Sequence, residues 1–239
     1  MLLIFLGLAA VVTVAAHLDP GSTTAPPDGG MLSTSAADVR CFTCTEQACR
    51  TDEVAPCRPD LIEGDQAHFT SGEIDLTGDG TPETVRLTGS QVVVEQGGDE
   101  AWRSPPHWDV VDVALGDPND DGRGEILLAF WREDDEGIPG SHPFIVGHRK
   151  GRYRTLWGGS AVVDPIFELA LGDVDGDRVQ ELVVLESDGT ESAIAVWQWH
   201  GWGFTLVWRS TTGVYRDLVV LPGKEGTPDT IRVLSGGQP

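Results

Sequence analysis

The stretch Asp117-Pro-Asn-Asp-Asp-Gly-Arg-Gly-Glu125, with the apolar run Ile126-Leu-Leu-Ala-Phe-Trp131 directly behind it, decides how the rest of the chain is read. Oxygen-bearing side chains stand at its first, third, fifth and ninth places: Asp117, Asn119, Asp121 and Glu125. Alternate residues of a tight loop can point inward together, and the backbone carbonyl of Arg123 at the seventh place adds another oxygen. Calcium takes about six to eight oxygen ligands in loose geometry, so this spacing suits a hard divalent cation. Gly122 holds the sixth place, where the turn requires a positive φ.

Two more copies flank it. Asp75-Leu-Thr-Gly-Asp-Gly-Thr-Pro-Glu83 offers Asp75, Thr77, Asp79 and Glu83, with the Thr81 carbonyl at the seventh place. Thr77 is neutral and a weaker ligand. Asp173-Val-Asp-Gly-Asp-Arg-Val-Gln-Glu181 offers Asp173, Asp175, Asp177 and Glu181, with the Val179 carbonyl. Here Arg178 replaces the glycine, at about 1–2 kcal/mol if the left-handed conformation is kept. An EF-hand is excluded, because it needs flanking helices and a bidentate Glu at position 12. Arg86, Leu128 and Val184 stand at that position. Asp/Gly-rich turns are common in hairpins, but three copies at matching places relative to strands point to metal, and up to three Ca2+ ions are expected.

Outward from the loops the chain reads as strands. A strand leads into the second and third loops over residues 108–116 and 165–172. A second strand leaves each loop over residues 83–87, 125–131 and 181–185; the latter two are continuously apolar, as in strands covered on both faces. A third follows over 91–95, 143–147 and 193–199, and a fourth over 101–103, 153–157 and 204–209. The loops begin at residues 75, 117 and 173, and a fourth, decayed copy runs from Leu221 to Asp229 without the first and third carboxylates. Four strands per unit at this period is a β-propeller signature. The fold class expected is all-β: a β-propeller-like array of about 3.5–4 four-stranded blades. Strands from residues 31–70 would complete the last blade, or the array would stay an open arc, or self-association would complete the propeller. Since each loop joins the first and second strands of its unit, all three should lie on one side of the array.

The remaining segments are read from composition. Residues 1–16 are almost wholly apolar and end in Val14-Ala15-Ala16, which suits a signal peptide or an N-terminal membrane anchor. Residues 17–40 form a Pro/Gly/Ser/Thr linker. Residues 41–60 form a small Cys-rich segment holding all four cysteines: Cys41, Cys44, Cys49 and Cys57. In an exported chain they read first as two disulfides, and alternatively as a four-thiolate zinc site. The propeller-like repeats occupy 61–239, and an extracytoplasmic, secreted or membrane-anchored location is expected. The net charge of −22 argues against nucleic acid as a partner. Three bound divalent ions would offset six of those charges.

No nucleophile elbow, phosphate loop or dinucleotide fingerprint occurs, and the six His residues are scattered without ligand-like spacing. The protein is therefore read as not an enzyme. Trp197, Trp199 and Trp202 crowd the third unit. Aromatic pairs are ordinary strand packing, and a sugar-stacking platform is the functional alternative, with Trp202 in its Gly-flanked turn the residue expected to be exposed.

The loops and the strands behind them resemble the FG-GAP/VCBS-type repeats of integrin α-chain propellers and many bacterial secreted proteins, over about residues 65–235. Asp117–Glu125 matches the pattern D-x-[DN]-x-D-G-x-x-[DE] throughout, Asp75–Glu83 at all but the third place, and Asp173–Glu181 at all but the glycine. The resemblance implies a calcium-stabilised propeller used for adhesion or recognition, without catalysis. The function expected is a calcium-stabilised extracytoplasmic recognition or adhesion module binding a protein partner at the cell surface. A glycan-binding, lectin-like module is the alternative, and a secreted hydrolase-associated domain comes third.

Overall fold

Short apolar runs separated by Gly/Asp turns become strands: the described residues hold sixteen strands and no helix. The computed structural model describes residues 38–45, 48–51, 69–133, 139–158, 165–224 and 226–235. The expected signal or anchor segment lies outside these residues. Among them, no helix is long and apolar enough to cross a membrane.

The strands form four antiparallel sheets of four. The first two strands, β1 (Asp38–Thr45) and β2 (Ala48–Thr51), belong to the same sheet as the last two. The first sheet is β3 (Ser71–Ile74), β4 (Glu83–Thr88), β5 (Gln91–Gln96) and β6 (Asp99–Arg103). The second is β7 (Asp109–Gly116), β8 (Glu125–Glu133), β9 (Pro139–Arg149) and β10 (Arg152–Gly158). The third is β11 (Ile166–Gly172), β12 (Glu181–Ser187), β13 (Ser192–Trp199) and β14 (Phe204–Arg209). Each is a meander in chain order, as the sequence spacing predicts.

The fourth sheet has the order β15-β16-β1-β2, with β15 (Tyr215–Leu221) and β16 (Thr230–Ser235). β1 pairs antiparallel with β16, from Asp38 opposite Ser235 to Thr43 opposite Thr230. The sheet therefore takes two strands from each end of the chain. Strands from before residue 70 thus complete the last sheet, the first of the alternatives expected, and Asp38–Thr45 and Ala48–Thr51 belong to that sheet rather than to a linker and a separate Cys-rich segment. Cys44, opposite Cys49 in the β1–β2 register, is buried and disulfide-bonded. The pairing scheme of the four cysteines lies outside the described side chains.

The middle strands are the most buried because they are covered on both faces. Every residue from Glu125 to Phe130 and from Glu181 to Glu186 is buried. Three apolar clusters lie between consecutive sheets. Val94, Ile126 and Phe144 join the first two; Leu127, Ile145 and Leu182 join the second and third; Val183, Ile194 and Ile231 join the third and fourth. The first strands of all four sheets line one cavity of about 290 Å3, with Ser71, Ala114, Ala170 and Val219 among its walls.

Two buried carboxylates tie these first strands together. β7 and β11 each carry a bulge, between Val110 and Asp112 and between Ile166 and Glu168. Asp112 accepts hydrogen bonds from the N–H of Phe69 (3.2 Å) and of Leu169 (2.9 Å), so it spans the first and third sheets. Glu168 accepts from Asp217 (3.2 Å) and Leu218 (2.6 Å) of the fourth. A buried charge is tolerated only where such bonds satisfy it.

Candidate metal centre

All three acidic loops join the first and second strands of their sheets. The ninth-place Glu is the first residue of the second strand in every case, opposite Ile74, Gly116 and Gly172. That placement buries Glu83, Glu125 and Glu181 as the floor of each loop. The sixth place is left-handed in all four copies: Gly80 at φ 86°, Gly122 at 79°, Arg178 at 77° and Gly226 at 79°. Arg178 thus keeps the conformation its side chain disfavours, and the decayed fourth loop keeps the turn without the first and third carboxylates.

Successive loops touch. The N–H of Asp117 donates to Gln180 Oε1 (2.8 Å), and that of Asp173 to Asp229 Oδ2 (3.0 Å), while Asp229 N–H returns a bond to the Asp173 carbonyl (2.7 Å). The residues before these loops are glycines because the neighbouring loop lies over them: a Cβ on Gly116 would stand 2.3 Å from Gln180 Oε1. Gly124 packs against Ile74 and Asp75 in the same way. The loops therefore form one row on one side of the sheets, as expected.

Inside the row the loops differ. In the first, Asp75 accepts from the N–H groups of Gly78 (2.7 Å) and Gly80 (2.8 Å), and the Gly80 bond leads in holding its carboxyl below the ordinary range. Both oxygens of Glu83 are occupied, by Leu76 N–H (2.7 Å) and the Thr77 hydroxyl (3.1 Å). Asp79 accepts from Thr81 N–H (2.8 Å). Thr81, like Arg123 and Val179, contributes no side-chain ligand.

The second loop brings Asp117, Asp121 and Glu125 together, their oxygens within 4.8 Å of one another. Asp117 accepts from Asp121 and Gly122 N–H, and Asn119 also accepts from Asp121 N–H (3.1 Å). The second-place residue here is Pro118, which has no N–H to give. Glu125 Oε2 is buried and has no partner. Burial pushes the Glu125 carboxyl up to about 7, with Asp121 and Asp117 adding to the rise and Arg149 opposing it.

The third loop brings together Asp173, Asp175 and Asp177 within the same 4.8 Å. Glu181 Oε2 accepts from Val174 N–H (3.0 Å), while Oε1 is buried without a partner. Burial, then the charge of Asp175, pushes Glu181 up to about 8. An orphaned buried carboxylate oxygen beside three further carboxylates is a donor set that fits a hard cation. The first loop has neither the convergence nor the orphan.

One repeated feature was not read from the sequence. The end of the third strand sends a side chain to the fifth-place Asp in every unit. Gln96 reaches Asp79 Oδ2 (3.5 Å), Gln198 reaches Asp177 Oδ2 (3.3 Å), and Arg149 reaches Asp121 Oδ2 (2.5 Å) and also Glu125 Oε1. Gln96 and Arg149 stand directly before their hairpin turns and Gln198 one residue earlier, so no fixed spacing marks all three. Asp112 and Glu168 were also missed; each is an acidic residue set within an apolar run, five residues before its loop.

The tryptophan candidates separate. Trp197 packs between the second and third sheets with its indole nitrogen buried. Trp199 meets Trp157 and Phe204 edge-on at 5.7 and 5.2 Å. Only Trp202 of the three is open, at 76% exposure.

No family model and no curated protein matches the chain. Among solved structures it is similar to the crystal structure of BBS1N in complex with ARL6DN, soaked with mercury. The identity is 9%, covering 69% of this chain and 76% of that one, with a TM-score of 0.26.

Proposed function

We propose that this chain is a calcium-stabilised, non-catalytic recognition module working outside the cytoplasm, built from FG-GAP/VCBS-type repeats arranged as four propeller-like blades. The observation that carries the calcium reading is the pair of orphaned buried oxygens, Glu125 Oε2 and Glu181 Oε1, each in an all-oxygen loop. Asp173, Asp175, Asp177 and Glu181 would hold one ion, and Asp117, Asp121 and Glu125 another. The ion supplies positive charge where several carboxylates crowd a buried floor. Because the loops touch one another in a row, an ion in one also stiffens its join to the next.

Recognition is assigned to the opposite end of the sheets. There Phe167 and Val214 are exposed beside a cavity of about 300 Å3 that Leu185 and Tyr215 also line. Exposed apolar groups beside a cavity suit a protein partner. The glycan reading now rests on Trp202 alone; quenching of tryptophan fluorescence across a glycan array is its test, and loss of the response in Trp202→Ala is expected if it holds.

Extracellular calcium modules bind with dissociation constants of about 10⁻⁴ M or weaker. At about millimolar calcium, two such sites add about 3 kcal/mol, or about 5–10 °C in melting temperature for a chain of this size. Thermal melts in calcium and in EDTA should differ by up to that amount, and the Asp173→Asn, Asp177→Asn double variant should lose at least half the difference. Superimposable melts would overturn the reading.

A further inference from the structure

We propose that Arg149 is a resident cation of the second loop, competing with a divalent ion for Asp121 and Glu125 and setting that loop's affinity below that of the third. The inference rests on the calcium reading and deepens it.

The hairpin after β9 turns through Lys150 and Gly151, both left-handed at φ 56° and 76°, a two-residue turn of the kind that suits strand twist. It fixes Arg149 at the end of β9. β9 pairs with β8, which begins at Glu125, so the guanidinium is delivered onto the loop floor. The Arg149 side chain is only 17% exposed. Its Nη1 donates to the His148 carbonyl (3.0 Å), and its Nη2 alone bridges Asp121 Oδ2 and Glu125 Oε1. These are two of the three carboxylates whose oxygens converge within 4.8 Å. One nitrogen thus occupies the position between carboxylates that an ion would take.

The substitution is incomplete. A guanidinium carries one positive charge and pairs with two of the three carboxylates, and Glu125 Oε2 stays buried without a partner. A divalent ion would satisfy the loop better, but to bind Asp121 and Glu125 it must displace Arg149. In the first and third units the fifth-place Asp is reached instead by Gln96 and Gln198, neutral donors that touch no other loop carboxylate. Competition is therefore confined to the second loop, the copy that matches the metal pattern most fully. Calcium should bind in two classes, the third loop first and the second loop only as Arg149 leaves.

Isothermal titration of the full chain with calcium chloride tests this. Wild type should show a tighter and a weaker site, and Arg149→Gln should tighten the weaker one by about tenfold or more, since one opposing charge is gone. Arg149→Lys, which keeps the charge, should stay near wild type. Normal calcium binding with an unchanged isotherm in Arg149→Gln would overturn the role of Arg149 and leave the calcium reading intact. No calcium heat in any variant would overturn both. In wild type, where folding is not in question, the Arg149 Nε–Hε resonance should move with the weaker site's midpoint; a resonance unmoved at saturating calcium would overturn the proposal.

Discussion

The first and third loops share a turn, a spacing and a buried Glu floor, yet they resolve the same crowding of charge in opposite ways. In the first, Thr77 donates to Glu83 and Leu76 N–H takes the other oxygen, so the floor is satisfied from within. In the third, the place of Thr77 is taken by Asp175, which accepts but cannot donate when ionised. Glu181 Oε1 is left buried and unpaired, and its carboxyl rises to about 8. One side chain separates a loop floor closed by hydrogen bonds from a floor left one bond short.

The largest expected effect is on pH dependence without calcium. A carboxyl whose pKa is raised on folding keeps a proton that the unfolded chain has released. Stability therefore falls as pH rises from the ordinary value of 4.5 towards about 7 for Glu125 and about 8 for Glu181. Asp75 acts with the opposite sign: its depressed pKa contributes stability above 3.8 that is lost as pH falls below it. Denaturant unfolding in EDTA should show a decline from about pH 5 to 8. Calcium should abolish it by displacing the protons, and a flat profile would contradict the account of the third loop.

Removing the two floors should then give opposite results. Glu83→Ala strands the buried Leu76 N–H and leaves a void, and should destabilise by about 2–3 kcal/mol with or without calcium. Glu181→Gln keeps an acceptor for Val174 and removes a buried charge. In EDTA at pH 8 it should raise the melting temperature, while the calcium response falls. If both variants behaved alike, the distinction between the loops would fail.

Thr77→Asp tests whether one side chain suffices. It removes the donor to Glu83 and gives the first loop the third loop's carboxylates. A new calcium-dependent gain of about 1.4 kcal/mol, one site's worth at about tenfold excess over the dissociation constant, is expected in thermal melts. The smallest effect belongs to Arg178→Gly, which relieves the left-handed Arg178 and should add about 1 kcal/mol or less once the extra freedom of glycine in the unfolded chain is offset. Chemical denaturation in calcium measures it.

The strands were legible because their apolar runs sit between Gly/Asp turns at a regular period, and the strands from β4 to β14 fall where the spacing places them, whereas β3, only four residues long, was not read. β1 and β2 were legible only as one of several ways to finish the array, because their pairing with β16 joins residues from opposite ends of the chain and no local spacing chooses among those ways. The loops were legible as oxygen-rich turns, and the left-handed sixth place was legible even at Arg178. Their surroundings were not. The second loop looks soundest by pattern, but the pattern does not include Arg149, which arrives from β9, or Pro118, whose missing N–H leaves Glu125 Oε2 unpaired. Hydrogen-bond partners that come from another strand set the charge balance of a site, and a motif read along one segment omits them.

Anomalous scattering from crystals grown in calcium tests the central claim most directly, because it reads each loop separately. The account predicts a strong ion peak beside Glu181 Oε1 among Asp173, Asp175 and Asp177, a weaker one beside Glu125 with Arg149 displaced, and none in the loop of Asp75. An empty third loop at millimolar calcium, or a full first loop beside it, would contradict the account.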